Sequence, residues 1–467
     1  MRREIACAAA AAISFSAFVG ASARADYPTF NQLPSIYTQN PQGFGNLFNS
    51  ANSQTVNVAV FGDSQETSPA GSGLVFIPQL NYDAWQKFGN APETPIGTGG
   101  SYYSGAPYAQ WLIEGANPSP GTQPGRLSGS QVLPGMSVVS SYTLDGSAIN
   151  GQQYGQMFML TQDASNLAPY SGISTANNYF NTNGRVVAQI FAATNAASGE
   201  ISYAAHPIGG NQPYFFAPKT TAGTLTLGLQ STTPAVLSGL TAPLDFNGQK
   251  YMQIEVGGTS PNTLTDLVGA RFINLDHPQG MVFTNLAAGG YQTSSFLANH
   301  ADAGPMYKGL GFNAAIIHTG SNDAGDSVTA VQFEQDQKSL ISSIRAWTGD
   351  PNYKVILISD PDRNGLTTAQ RTQFDQYVGA QMDIAGSDPN VMVVNDRLLA
   401  SDIGWSVGSP QFDTLVNPDG IHYTAAGATD LAQMEFNAMT SVPEPAALGV
   451  FGLAAAGLLL RRRLTSQ

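Results

Sequence analysis

The sequence predicts an α/β fold: a parallel sheet with helices on both faces, interrupted by an inserted all-β domain. Three observations lead there. Short apolar runs alternate with helix-period segments, the pattern of a parallel sheet flanked by helices. Three Gly-containing polar blocks each follow one of those runs: Gly62-Asp63-Ser64, Gly289-Gly290 and Gly320-Ser321-Asn322-Asp323. Open α/β sheets carry their reactive groups at the C-terminal ends of the strands, so the three blocks fall where chemistry belongs. Finally, between Leu133 and Asn274 the pattern changes to short strand-like runs parted by Gly, Pro, Asn and Ser.

The elements follow in chain order. Residues 26–53 are polar and read as loop. Thr55 to Phe61 is an apolar run of buried-strand length. Gly280 to Thr284 leads into the second block, and Asn313 to His318 into the third. Val328 to Trp347 has helical periodicity, with Phe333, Leu340, Ile341 and Ile344 on one face. A strand over Val355 to Ile358, a helix over Thr368 to Ile384, a strand over Val391 to Val394 and a helix over Ala425 to Met439 complete the pattern. Between Ser64 and Gly290 the chain is far longer than the dozen or so residues a crossover needs. Val186 to Phe191, Glu200 to Tyr203, Thr224 to Leu227 and Tyr251 to Val256 are strand candidates there, and their spacing suggests a β-sandwich. The expected division is a signal peptide over 1–25 and a first α/β part over 26–132. An inserted β-rich domain over 133–274, a second α/β part over 275–440 and a sorting or anchor segment over 441–467 follow.

Composition narrows the class. Of 467 residues only 11% are charged, with 50 Gly and 28 Pro, against about 25% charged in average proteins. That suits a strand- and loop-rich extracellular surface. A net charge of −13 argues against nucleic-acid binding, which needs a basic footprint. Arg2 and Arg3, the apolar stretch from Ile5 to Val19 and Ala23-Arg24-Ala25 fit a secretory signal. The single cysteine, Cys7, lies inside that signal, so disulfide and thiol chemistry are not expected of the exported protein.

Val442-Pro443-Glu444-Pro445, the apolar run 446–460 and Arg461-Arg462-Arg463 resemble the PEP-CTERM signal of Gram-negative bacteria. The resemblance implies export, with an exosortase-type enzyme recognising and cutting the tail. The apolar run falls short of the ~20 residues that cross a bilayer comfortably. It could hold the protein transiently in the inner membrane, arginines inward. A plain membrane anchor is the alternative.

The blocks supply the parts of acyl-ester chemistry. Ser64 is a weak nucleophile until a base takes its proton. His422 is the candidate base, and Asp419, three residues earlier in Asp419-Gly420-Ile421-His422, can fix the imidazole tautomer. The attacked carbonyl develops negative charge, for which the Ser64 N–H, the Gly290 N–H and the Asn322 amide form the natural oxyanion donors. Glycine at 290 lets backbone approach the substrate oxygen closely.

With these residues in view, the chain resembles the SGNH/GDSL hydrolases, named for a Ser, Gly, Asn and His in four blocks. The matches are Ser64, Gly290, Asn322 and His422, with Asp419 completing Asp-x-x-His. The resemblance covers 55–67 and about 280–440. It implies a flavodoxin-like three-layer α/β/α sandwich and ester hydrolysis without metal or other cofactor. Gln65 stands where the family often has Leu. The long insertion resembles that of carbohydrate-active esterases of the family with an inserted β-sandwich. The expected substrate is therefore an acylated, most plausibly O-acetylated, extracellular polysaccharide. Acyl transfer by the same site and a non-catalytic glycan-binding matrix protein are the alternatives.

Other features have plainer readings. Gly404-Trp405-Ser406-Val407-Gly408 matches a Gly-x-Ser-x-Gly elbow, but that motif needs a strand before it and a helix after it. Neither Leu398 to Ile403 nor Ser409-Pro410 fits, so it is read as a loop near the site. His206, His277, His300 and His318 show no metal-ligand grouping, and His300-x-Asp302 supplies only two ligands. His318 ends a buried strand and is read as a core residue or a support for the site. Tyr102, Tyr103, Tyr108 and Trp111 are read as packing between the two domains, with sugar stacking as the rival.

Overall fold

The computed structural model describes residues 27–67, 76–89, 132–133, 136–140, 157–161, 184–194, 200–208, 220–226, 235–247, 251–258, 265–287, 289–297 and 303–442. The signal segment 1–25, the Tyr102–Trp111 cluster, His300 and the run 446–460 lie outside them. The chain forms strand β1 (Ile36–Thr38), helix α1 (Pro41–Ser50), β2 (Thr55–Gly62), α2 (Ser64–Thr67) and α3 (Phe76–Phe88). Nine strands follow: β3 (Val132–Leu133), β4 (Met136–Ser140), β5 (Met157–Thr161), β6 (Val186–Thr194), β7 (Glu200–Ile208), β8 (Thr221–Thr226), β9 (Ala235–Leu240), β10 (Tyr251–Gly258) and β11 (Thr265–Asn274). The chain then alternates through β12 (Gly280–Asn285), α4 (Ala303–Leu310), β13 (Ala314–His318), α5 (Ser321–Gly325), α6 (Ala330–Thr348), β14 (Lys354–Ile358), α7 (Thr368–Ser387) and β15 (Val391–Val394). It closes with α8 (Asp396–Asp402), α9 (Phe412–Leu415) and α10 (Ala425–Thr440).

The central sheet has the order β1-β15-β14-β13-β2-β12. Its five parallel strands, counted along the chain, lie in the order 2-1-3-4-5, the flavodoxin-like arrangement. The parallel strands are mainly apolar because both faces are covered. Alternate residues divide between two cores: Ala59, Phe61, Ile317 and Leu357 meet Leu340, Ile344 and Val378 on one face. Val58, Val60, Ile316 and Ile356 meet Phe48, Leu80, Leu431 and Phe436 on the other. This is the three-layer sandwich.

Two features at the start depart from the sequence reading. The stretch 26–53 is not loop: it holds β1, which pairs antiparallel with β15 at the sheet edge, and α1. The signals are physical and local. Asn40 caps α1 by accepting the Gly43 N–H at 2.8 Å, Pro41 occupies the first turn, and Phe44 and Phe48 are buried.

The expected β-rich stretch forms two antiparallel sheets, ordered β3-β4-β5-β10-β7-β8 and β11-β6-β9. The smaller one is joined to the α/β core: Phe191 of β6 is fully buried in the same cluster as Phe61, Leu286 and Phe296.

Candidate active site

All the motif residues sit at the C-terminal ends of β2, β12 and β13 or in the loop before α10. Ser64 opens α2. Asp63 is its N-cap, accepting the Gln65 N–H on Oδ1 at 2.8 Å, and Glu66 returns the favour by accepting the Asp63 N–H on Oε2 at 2.8 Å. These two reciprocal bonds turn Asp-Ser-Gln-Glu sharply out of the strand. Gly62 is required there, since a Cβ would fall on the Glu66 carboxylate.

The second and third blocks close on this turn. Asn285 donates to the Glu66 carbonyl at 2.9 Å, holding β12 against α2. Gly290 adopts a positive φ of 79° with no atom near its Cβ position, and it is exposed. Asn322, second residue of α5, donates from Nδ2 to Asp63 Oδ2 and to the Tyr291 carbonyl, each at 3.0 Å. Both amide hydrogens therefore face protein acceptors, and a substrate oxyanion would share one of them.

The histidine loop is built from its own residues. Asp419 Oδ1 accepts the N–H groups of Ile421 and His422 at 2.8 and 2.9 Å, while Oδ2 meets His422 Nδ1 at 2.8 Å. One carboxylate thus shapes the turn and orients the ring. With Nδ1 donating to Asp419, Nε2 carries the lone pair. Burial disfavours the charged Asp419, but the bonds from the His422 ring and the Ile421 and His422 N–H groups outweigh it and hold its pKa below the usual value.

The two halves are tied. The Gln65 side chain, buried at 2% exposure, donates to the Ile421 carbonyl at 2.8 Å and so links the residue after Ser64 to the residue before His422. Asn364 donates its N–H to the Gly420 carbonyl at 2.7 Å, and Arg363, its neighbour in the loop after β14, donates to the Ser321 carbonyl at 2.7 Å. Ser64 is partly exposed, and no hydrogen bond joins its hydroxyl to His422. Such catalytic bonds commonly form only with substrate present.

Beneath the turns lies a buried charge cluster that the sequence reading did not assemble. His318 is 1% exposed, with Nδ1 at 2.7 Å from Glu66 Oε1 and Nε2 at 3.0 Å from Asp360 Oδ1. Burial opposes its charged form, yet Glu66, Glu435 and Asp360 push its pKa well up. Burial, aided by Asp360 and Glu66, raises Asp63, and burial likewise raises Asp396 and Glu435. Glu66 was legible as an acidic residue three positions after the capping Asp63; Asp360 carries no local signal.

The Gly404-Trp405-Ser406-Val407-Gly408 match follows α8, not a strand, as expected for a loop. Trp405 is buried edge-on against Tyr423 at 5.1 Å, directly beside His422. Among the described residues, no group of three or more His, Cys, Asp or Glu could hold a metal ion. No helix among them is long and apolar enough to cross a membrane.

The fold and the four blocks now stand together. The chain resembles the SGNH/GDSL esterases. Residues 441–463 match the model of the PEP-CTERM protein-sorting motif. No curated protein matches the chain. Similar solved structures include a peptidoglycan O-acetylesterase, at 15% identity and TM-score 0.46, covering 88% of this chain and 99% of the other. A lipase/acylhydrolase from Enterococcus faecalis is 19% identical with TM-score 0.27, covering 36% of this chain and 80% of its own. A carbohydrate esterase family 3 protein from Talaromyces cellulolyticus is 14% identical with TM-score 0.27, covering 34% and 71%.

Proposed function

We propose that the protein is an exported serine ester hydrolase in which Ser64 is the nucleophile, His422 the general base and Asp419 the residue that orients the base. The observation that carries this reading is the pairing of Asp419 Oδ2 with His422 Nδ1 at 2.8 Å, in a loop tied through Gln65 to the turn of Ser64. His422 Nε2 takes the Ser64 proton as the hydroxyl attacks the ester carbonyl. The same proton then passes to the leaving alcohol, and water repeats the cycle on the acyl-enzyme. The Ser64 and Gly290 N–H groups and the Asn322 amide receive the oxyanion.

The sorting motif at 441–463 supports delivery to the cell surface, with tail processing by an exosortase-type enzyme. Residues 133–274 form an inserted β-rich stretch whose smaller sheet joins the α/β core, and the substrate is an O-acetylated extracellular polysaccharide. Ser64→Ala should reduce release of acetate from acetylated glycans, or turnover of a chromogenic acetate ester, to background. Turnover surviving in that variant removes Ser64 from the role.

A further inference from the structure

We propose that His318 is a positioning residue for this reaction: bridging Glu66 and Asp360, it sets the spacing between the turn that carries Ser64 and the turn that carries Asn322. The inference rests on the reading of Ser64 as nucleophile. The geometry is a chain of contacts across three strand ends. From the first turn, Glu66 accepts the Asp63 N–H on Oε2 at 2.8 Å and forms an ion-pair contact through Oε1 with His318 Nδ1 at 2.7 Å. From the loop after β14, Asp360 accepts the Ser321 N–H on Oδ2 at 2.6 Å and forms an ion-pair contact through Oδ1 with His318 Nε2 at 3.0 Å. Each carboxylate thus spends one oxygen on the backbone next to a proposed catalytic residue and the other on the same imidazole.

The backbone leaves little room for other arrangements. A Cβ at Gly62 would strike Glu66, and a Cβ at Gly320 would sit 3.3 Å from Asp360 Oδ2. Three further acidic groups face His318: Asp63 from the first turn, Asp396 from α8 and Glu435 from α10. His318 contacts both Glu66 and Asp360, while Arg363 braces the Ser321 turn separately, at its carbonyl and hydroxyl. An isolated buried carboxylate is costly unless paired. Losing the imidazole would drive Glu66 and Asp360 apart or toward water, carrying Asp63-Ser64 away from Ser321-Asn322. Ser64 and Asn322 must converge on one substrate carbonyl, and a displacement of about 1 Å at such a site costs on the order of 10² in rate.

The test uses the full chain with a chromogenic acetate ester and a fluorophosphonate probe of Ser64. His318→Gln should lower kcat by about 10²-fold, slow the labelling of Ser64 in proportion and leave KM unchanged. The double variant Glu66→Gln, His318→Gln removes one unpaired buried carboxylate. It should recover thermal stability while kcat stays low, and it carries the test where the single variant does not fold. Wild-type kcat and labelling rate in folded His318→Gln, or kcat that recovers together with stability in the double variant, overturns the inference. Turnover persisting in Ser64→Ala instead overturns the nucleophile reading, and the positioning role with it.

Discussion

The Ser64 turn and the histidine loop belong to one proposed site but are built by opposite means. The turn at 62–66 is sunk in the molecule: Asp63 and Glu66 are fully buried and draw bonds from three other parts of the chain, at Asn285, Asn322 and His318. The loop at 417–423 is shallow and nearly self-sufficient, and its Asp419 side chain is 42% exposed. Two aspartates record the difference. Burial beside Asp360 and Glu66 pushes the Asp63 carboxyl up, whereas bonds within the loop hold Asp419 down. A nucleophile needs a fixed attack geometry, which long-range contacts provide. A base needs access to solvent and to the leaving group, which an exposed loop provides.

After Ser64→Ala, the largest effect expected is at the junction of the second and third blocks. Asn322→Ala removes a proposed oxyanion donor and the tie to Asp63, so kcat should fall by about 10²–10³-fold, read from steady-state kinetics on an acetate ester. Activity within a few per cent of wild type would show that Asn322 only braces Asp63. A smaller loss is expected from Gln65→Ala, which leaves every proposed catalytic group in place but cuts the link to Ile421. The histidine loop would then drift, and kcat should drop by about 10-fold to 100-fold. An unchanged kcat would show that the loop holds its place through Asn364 and Gly420 alone.

The smallest effect concerns stability. Burial raises the Asp323 carboxyl to about 7, while an unfolded chain ionises it near 3.8. A raised carboxyl pKa means that the folded state holds the proton longer. Its contribution is present below the unfolded pKa and is lost as pH rises toward 7. Asp323→Asn, which stays neutral, should therefore flatten the decline in melting temperature between about pH 4 and pH 7. Equal slopes for variant and wild type would place ionised Asp323 among sufficient donors, Thr293 chief among them.

What was legible in the chain follows the same division. The histidine loop was readable because Asp419 acts on residues two and three positions away. The parallel strands were readable because burial on both faces makes them mainly apolar, and the long helices because one face repeats. The start was misread because β1 has only three residues and α1 announces itself through a cap, not through charge or length. Gln65 looked incidental beside a family position often held by Leu. Its purpose appears only when Ile421, far along the chain, folds over it. Asp360 and His318 likewise gain meaning from a sheet that brings β13 and β14 side by side.

Phe191 bears on any attempt to exchange the β-rich stretch for another. Its ring lies in the α/β core with Phe61 and Phe296, although it belongs to β6. Excising the whole stretch would leave a phenyl-sized hole under the central sheet, and Phe-to-Ala vacancies of that kind cost about 3–5 kcal/mol. A chimera that keeps β6, β9 and β11 as a floor and replaces only the six-stranded sheet avoids that vacancy. The seam for grafting a new specificity therefore runs within the β-rich region, above the smaller sheet.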